Sequence, residues 1–221
     1  FDEQLEQLNN ELIIMGDLCE EAINNVVMAL IQGDQTRLKK VFKIDSKIDR
    51  QEKNIESLCM KLLLQQQPVA KDLRNISSAL KMISDMERIG DQASDIAELV
   101  KYVHNNRVQK NKLDAISHIE EMAEATIKMV TDSVDSFVKN NLDLAKKVLL
   151  DDDVVDKLFC TVKEDLVEIM VEDKTTSELC LDILMIAKYL ERIGDHATNI
   201  AEWVIYAITG EHASVNEMID D

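Results

Sequence analysis

One string of thirteen residues occurs twice in this chain of 221 residues. MERIGDQASDIAE covers residues 86–98, LERIGDHATNIAE covers residues 190–202, and nine of the thirteen positions are identical. The two copies begin 104 positions apart. LKKV at residues 38–41 is matched in the same order by AKKV at residues 145–148. A pattern repeated at nearly constant spacing indicates two copies of one folding unit.

The residue types favour helix in both copies. The chain contains 5 glycines and 1 proline, and aromatic residues make up 4% of it. A sheet protein needs turn residues about every ten positions and is enriched in aromatic and β-branched residues. Leu, Ile, Met, Ala, Glu and Lys are abundant here, and most of them are strong helix formers. The sequence therefore predicts an all-α protein with an aliphatic core.

The few helix breakers divide the chain into six long helices. The predicted helices cover residues 2–31, 35–66, 68–104, 112–139, 142–171 and 177–210. Pro68 is expected in the first turn of the third helix, and a threonine at 175 or 176 is expected to cap the sixth. Because short connections make sequential helices antiparallel, the expected architecture is two tandem three-helix bundles packed side by side. Residues 1–106 form the first predicted repeat and residues 107–221 the second.

The charge limits the classes of partner. With 43 acidic and 25 basic residues, the formal net charge is −18, which repels nucleic acid and anionic lipid headgroups. Such a surface suits cations or a basic patch on a partner protein, and solubility alone is the alternative explanation. No apolar run approaches the ~20 residues of a membrane-spanning helix, and no signal peptide is visible. The four cysteines are scattered without a CxxC pair, as is typical of a reducing compartment, so we expect a cytoplasmic protein without direct membrane insertion.

Carboxylates recur on one face of two helices in the first repeat, because positions i and i+4 lie about 40° apart around a helix. These are Asp45, Asp49, Glu52 and Glu56 on the second helix, and Glu87, Asp91, Asp95 and Glu98 on the third. Like charges at this spacing destabilise a helix by a few tenths of a kcal/mol per pair. Gly90, and Gly194 in the second repeat, each add roughly 1 kcal/mol of helix destabilisation and indicate a close neighbour. A multivalent cation between the two faces accounts for both features.

The second repeat carries a reduced version of the same pattern. Its members are Asp152 and Asp156 on the fifth helix, and Glu191, Asp195, Asn199 and Glu202 on the sixth. Phe159 and Lys163 stand where the first repeat has Glu52 and Glu56. An all-oxygen ligand set favours iron, manganese, magnesium or calcium over copper. His196 lies off this face, so we interpret it as a hydrogen-bonding residue, and a merely solvated acidic face is the alternative to metal binding.

No catalytic constellation is visible in the sequence. It contains no nucleophile–base pattern, no glycine-rich phosphate loop and no P-loop lysine. We therefore expect a protein that is not an enzyme. Two alternatives are a carboxylate-bridged metalloenzyme of the phosphatase or oxidase type on a helical bundle, and a purely structural helical module.

The doubled ERIGD followed by IAE, the Asp-x-x-x-Asp on the preceding helix and the QP…DLR junction at residues 67–74 resemble the PhoU family. The resemblance covers essentially the whole chain. It implies a negative regulator of phosphate uptake and of the phosphate-starvation response. The implied partners are the Pst phosphate ABC transporter and a sensor histidine kinase, and the implied state is a homodimer. It also implies a cytoplasmic protein that associates peripherally with the membrane through these partners.

The resemblance further implies metal clusters of iron or zinc, with manganese or magnesium as alternatives. By position, the first cluster would use Asp45, Asp49, Glu87, Asp91 and Asp95, and the second would use Asp152, Asp156, Glu191, Asp195 and Asn199. Because Asn199 is neutral where the first repeat has Asp95, we expect the second site to bind metal more weakly. Arg74 is a candidate for partner contact, and it aligns with Glu178, so such a contact would be one-sided.

Overall fold

The computed structural model describes residues 2–105 and 115–212. Within these residues the chain forms six α-helices, one short 3₁₀ turn at Lys174–Thr176 and no strand. The helices are α1 Asp2–Gln32, α2 Gln35–Gln66, α3 Lys71–Asn105, α4 Ala115–Val138, α5 Leu142–Glu172 and α6 Ser177–Thr209. The prediction of an all-α fold with six long helices is confirmed.

Several helix ends fall at the predicted breakers. Gly33 follows α1 with a φ of 78°, and Gly210 follows α6 with a φ of 82°, a conformation that glycine adopts without strain. The side chain of Asp34 caps α2 by accepting a hydrogen bond from the backbone amide of Thr36 at 2.9 Å. Asn141 caps α5 in the same manner. Local backbone chemistry therefore determines where these helices begin and end.

The predicted start of α3 is wrong by three residues. Pro68 lies in the connection, and α3 begins at Lys71. Gln67 and Ala70 on either side have positive φ angles of 45° and 47°. Because a left-handed residue at 70 interrupts the helical path, the proline cannot occupy the first turn of the helix.

The predicted threonine cap of α6 is also wrong. Thr176 makes no capping hydrogen bond through its side chain. Instead, Asp173 accepts a hydrogen bond from the Thr175 amide at 2.9 Å and starts the 3₁₀ turn that leads into α6. The predicted start of the fourth helix at residue 112 and the division between repeats at 106–107 lie outside the described residues and stay predictions.

The six helices pack as two three-helix bundles side by side, as predicted. α2 packs against α1 and α3, and α5 packs against α4 and α6. The bundles meet where α3 lies against α6 and α1 lies against α4. One continuous apolar cluster, with Ile48, Ile89 and Ile193 fully buried, extends through both bundles. α2 and α5 therefore lie on the outer sides of the molecule, each with one face turned to solvent.

None of the described helices is both long and apolar enough to span a membrane. The free thiols of Cys19, Cys59 and Cys180 are buried and that of Cys160 is exposed. The buried cysteines therefore serve as small core side chains, as their positions on helices predict.

α3 passes close to α2 at Gly90. A Cβ atom at this position would lie 3.0 Å from Oδ1 of Asp45 and 3.0 Å from Cδ1 of Ile48. Gly194 takes the same place in α6, where the nearest atom to such a Cβ is Oδ1 of Asp152 at 3.5 Å. The expected close neighbour is thus confirmed at Gly90, whereas Gly194 has room for a methyl group.

We expect Gly194→Ala to raise the free energy of unfolding by up to about 1 kcal/mol, because alanine is the better helix former and its methyl group fits. Gly90→Ala should gain less, or lose stability, because Asp45 and Ile48 must shift to accept the methyl group. Urea unfolding of the two metal-free variants measures the difference. Equal gains at both positions would contradict the tighter packing at Gly90.

Candidate functional site

Six carboxylates from α2 and α3 form what we call the first acidic stripe: Asp45, Asp49, Glu52, Glu87, Asp91 and Asp95. Those of α2 and those of α3 lie close enough to act on one another electrostatically. Asp91 and Asp95 are exposed, and the other four are half-buried. The structure therefore brings together the five residues predicted for the first cluster and adds Glu52 to them.

Burial and mutual repulsion raise several pKa values in the first acidic stripe. Burial raises the pKa of Asp45, a hydrogen bond from the Ser94 side chain opposes the rise, and the negative charges of Asp49 and Asp91 add to it. Burial also raises the pKa of Glu87, with Asp91 and Glu52 adding to the rise. Such an excess of negative charge is the electrostatic condition that a bound multivalent cation relieves.

The donor set of the first acidic stripe fits a hard cation, although its side chains do not converge. Oδ1 of Asp45 is buried and makes no hydrogen bond of ordinary geometry, although the hydroxyl of Ser94 is near enough to lower the pKa of this carboxyl. Within residues 2–105 and 115–212, no three acidic, histidine or cysteine side chains are placed so that they could hold a metal ion together. Cation binding here therefore requires carboxylates to rotate inward, a movement open to exposed side chains such as Asp91 and Asp95.

The second acidic stripe lies between α5 and α6 and consists of Asp152, Asp156, Glu191 and Asp195. Burial raises the pKa of Asp152 to about 6, and the charges of Asp156 and Asp195 contribute to the rise. Burial likewise raises the pKa of Asp195, with Glu191 adding to it. Oε2 of Glu191 is buried without a hydrogen-bond partner. Four of the five residues predicted for the second cluster therefore lie together.

A lysine that the sequence reasoning missed enters the second acidic stripe. Nζ of Lys188 donates a hydrogen bond to Oε1 of Glu191 at 2.5 Å and lies 5.5 Å from the ring centroid of Phe159. The equivalent positions in the first half hold Ser84 and Glu52. The second stripe thus contains a cation where the first has a serine, and an aromatic ring where the first has a further acid. The i, i+3 spacing of this ion pair is a signal that the sequence does carry.

Asn199, the fifth residue predicted for the second cluster, makes its contact with the first half of the chain. Its Nδ2 donates a hydrogen bond to Oδ1 of Asp85 at 3.1 Å, and Nδ1 of His196 lies 2.9 Å from the same oxygen. Because Asp85 belongs to α3, this group of three side chains joins the two bundles. The expected hydrogen bonding of His196 is confirmed, with a partner that periodicity within one helix cannot identify.

Two arginines also act between the halves. Burial raises the pKa of Asp95 in the first acidic stripe, and the positive charge of Arg192 on α6 opposes this rise. Nε of Arg74 lies 3.5 Å from the carbonyl oxygen of Ala207 near the C-terminus of α6. A cation is favourable at that end of a helix. Arg74 therefore links α3 to α6, and its contact with a partner stays a prediction.

Known proteins share this arrangement. The family model described as the PhoU domain matches residues 12–100 and, a second time, residues 119–204. The chain belongs to the PhoU family. Both copies of the repeated string and both acidic stripes lie within the matched residues.

Curated PhoU relatives are similar over nearly the full length of the chain. A protein of Clostridium acetobutylicum is 38% identical over 218 residues, which cover 98% of each sequence. A protein of Pseudomonas aeruginosa is 38% identical over 210 residues, which cover 95% of this chain and 86% of the relative. Both are named phosphate-specific transport system accessory protein PhoU homolog.

Solved PhoU structures have the same fold. The crystal structure of PhoU from Pseudomonas aeruginosa superposes with a TM-score of 0.87 at 36% identity, covering 96% of this chain and 100% of that one. PhoU from Streptococcus pneumoniae gives a TM-score of 0.86 at 25% identity, covering 97% of this chain and 100% of that one. Both of these solved PhoU structures therefore share the fold of this chain.

The raised pKa of Asp152 predicts a pH-dependent stability for the metal-free protein. Its ordinary value is 3.8 and its folded value about 6, so the folded state binds this proton more tightly than the unfolded state does. Stability from this group is therefore present at low pH and falls as the pH rises through that window. We expect Asp152→Asn to weaken the fall in melting temperature between about pH 4 and about pH 6. Glu168→Gln, an exposed change on the same helix, should leave the fall as it is, and identical profiles for both variants would contradict the assignment.

Proposed function

We propose that this PhoU protein is an accessory regulator of a phosphate transport system that represses phosphate uptake and the phosphate-starvation response. The observation that carries the proposal is its similarity, over 98% of its length, to a relative named as the accessory protein of phosphate-specific transport. The Streptococcus pneumoniae protein is named a phosphate transport system regulatory protein. A regulator works by binding, which agrees with a chain whose sequence offers no nucleophile–base pattern.

The proposed partners follow from that role. They are the Pst phosphate ABC transporter and a sensor histidine kinase, which the protein would contact as a cytoplasmic homodimer held at the membrane by its partners. The net negative charge of the chain, −18, suits basic patches on such proteins.

The acidic stripes are proposed to hold multivalent metal ions, with iron or zinc as first choices and manganese or magnesium as alternatives. In the first half the ligands would come from Asp45, Asp49, Glu87, Asp91 and Asp95. In the second half they would come from Asp152, Asp156, Glu191, Asp195 and Asn199. Bound metal would neutralise carboxylates that otherwise repel one another and would stabilise the folded state by mass action.

A deletion strain tests the regulatory role. In cells with ample phosphate, loss of this protein should switch on phosphate-starvation genes, as measured with a transcriptional reporter, and the purified chain should hydrolyse no phosphate ester. Normal repression in the deletion strain would overturn the proposal. Steady hydrolysis of a phosphate ester would favour the alternative of a carboxylate-bridged metalloenzyme.

The same strain separates a signalling role of the metal from a structural one. A variant with Asp45→Asn, Asp49→Asn, Glu87→Gln and Asp91→Asn keeps side-chain size and should fold but fail to repress. The control variant carries four amide changes at exposed acids outside the stripes, Asp17→Asn, Glu21→Gln, Glu164→Gln and Glu168→Gln, and should repress normally. Full repression by a metal-free stripe variant would mean that the metal has a structural role and no role in signalling.

We expect the first acidic stripe to bind metal more tightly than the second, because Lys188 already neutralises part of the second. Changing Glu87 and Asp91 to amides should therefore remove more metal than changing Glu191 and Asp195, as elemental analysis after dialysis would show. Lys188→Met should raise metal binding in the second half, since the competing ammonium group is gone, while Lys146→Met should not. Equal metal loss from the two halves, or no response to Lys188→Met, would contradict this ranking.

A further inference from the structure

α2 is a basic helix in an acidic protein. It carries eight Lys or Arg residues and four Asp or Glu residues, a net charge of +4, whereas the whole chain has a net charge of −18. The equivalent helix of the second half, α5, carries four basic and nine acidic residues, a net charge of −5. Two helices with the same place in the fold therefore differ by nine charges, and this difference has no role in the packing of the core.

The positive charges of α2 are concentrated on its outer face, which we call the basic face. It consists of seven exposed side chains: Lys39, Lys40, Lys43, Lys47, Arg50, Lys53 and Lys61. At 1.5 Å per residue they extend along about 33 Å of helix. The four acids of α2 lie at i, i+4 or i+3 spacing on the side facing α3, so they do not interrupt this face.

The basic face has no ion pairs of its own in the described part of the chain. The salt bridges found there involve other cations, among them Lys128, Lys139 and Lys188. At the matching positions of α5, Leu150, Val154 and Cys160 interrupt the row. Attractions of Lys40 to Asp34 and of Lys53 to Glu52 offset part of this charge. The remaining positive charge, present on one helix alone, favours an external anionic partner.

Exposed apolar side chains lie at the C-terminal end of the basic face. Met60 and Leu64 are in the last turns of α2, Val69 is in the connection, and Leu73 is in the first turn of α3. Leu64 is 76% exposed and Val69 is 73% exposed. We call these four residues the apolar tip.

We propose that the basic face and the apolar tip together form a docking surface for an anionic phospholipid bilayer. The lysine and arginine side chains would contact lipid phosphates, and the apolar tip would enter the interfacial region of the same leaflet. A row of cations beside apolar side chains is the combination that binds proteins to the surface of anionic membranes. The net charge of the chain predicts repulsion from such membranes. The positive charge gathered on one face of α2 nevertheless makes that face locally attractive to them.

The chemistry of the face favours lipid over the other anionic partners. Six of its seven cations are lysines, which act as point charges, whereas the planar guanidinium of arginine is preferred where a phosphate or carboxylate is bound through two parallel hydrogen bonds. Phe42, the one aromatic residue of α2, is half-buried with Lys101 over its ring at 4.5 Å, so no aromatic side chain is presented to stack on a base. The apolar tip would find no apolar surface on the charged backbone of a nucleic acid.

Vesicle binding by the purified full chain tests the proposal. Vesicles of equal parts phosphatidylglycerol and phosphatidylcholine should bind the protein at low salt and release it at high salt, and pure phosphatidylcholine should bind little. Neutralising three cations, with Lys43→Gln, Lys47→Gln and Arg50→Gln, should weaken binding by about 100-fold. The control variant, with Lys146→Gln, Lys157→Gln and Lys163→Gln on α5, changes the net charge equally and should bind like the unchanged protein.

A second pair of variants tests the apolar tip. Leu64→Ser with Val69→Ser should weaken vesicle binding several-fold, whereas Val171→Ser with Leu181→Ser, at the corresponding end of the second half, should not. All four side chains are exposed, so circular dichroism should show every variant folded. Failure of the unchanged protein to bind, or equal losses from the α2 and α5 variants, would overturn the proposal.

Competing partners give distinct results in the same assay. Tighter binding to duplex DNA than to vesicles, lost in the α2 variant, would assign the face to nucleic acid and overturn the lipid assignment. Binding to the purified transporter in detergent that depends on the basic face, without vesicle binding, would assign it to an acidic protein. Vesicle binding is measured on the chain alone, so it can succeed even if the proposed regulation of phosphate genes fails.

Discussion

Buried apolar side chains hold the carboxylates of the first acidic stripe in place from one residue away. Ile48 precedes Asp49 on α2, Met86 precedes Glu87 on α3, and both apolar side chains are fully buried. Burial of one such side chain stabilises the fold by about 1.5–3 kcal/mol, whereas like charges at i, i+4 cost a few tenths of a kcal/mol per pair. The core therefore outweighs the repulsion and keeps the acids adjacent before any cation arrives. The raised pKa values of the stripe come first from burial and then from that repulsion.

The helix ends and the acidic faces could largely be predicted, because the signals for them are local in the sequence. Gly33, Asn141 and Gly210 mark helix ends through their own backbone or side-chain chemistry, and the i, i+4 rule places carboxylates on a common face. The close approach at Gly90 also followed from the cost of glycine inside a helix. The predicted start of α3 at Pro68 was wrong because Ala70 adopts a left-handed conformation. Alanine rarely does so, and the sequence therefore gives no sign of it.

The contacts between the halves could not be predicted in this way. Asp85 meets His196 and Asn199 only because α3 lies against α6, and periodicity within a helix says nothing about which face of another helix it meets. Lys188 is a different case, since its i, i+3 spacing from Glu191 is visible in the sequence. It was missed because the pattern considered only acidic residues. The result is that the two halves, which are alike in backbone, differ most in how their charges are balanced.

That difference has a physical consequence for α2, the helix that carries both the first acidic stripe and the basic face. A helix with its side chains is about 10–12 Å across, and the Debye length at physiological salt is about 8 Å, so charges on its two faces are only partly screened from each other. Carboxylates at Asp45 and Asp49 lower the positive potential at Lys43 and Lys47. A cation bound to the stripe would cancel that effect and strengthen the attraction of the basic face for an anionic surface. α5 has no such face, so the second half cannot respond in this manner. The metal and the membrane would therefore act on the same helix. A cation bound to the first acidic stripe would strengthen the binding of the basic face to the membrane.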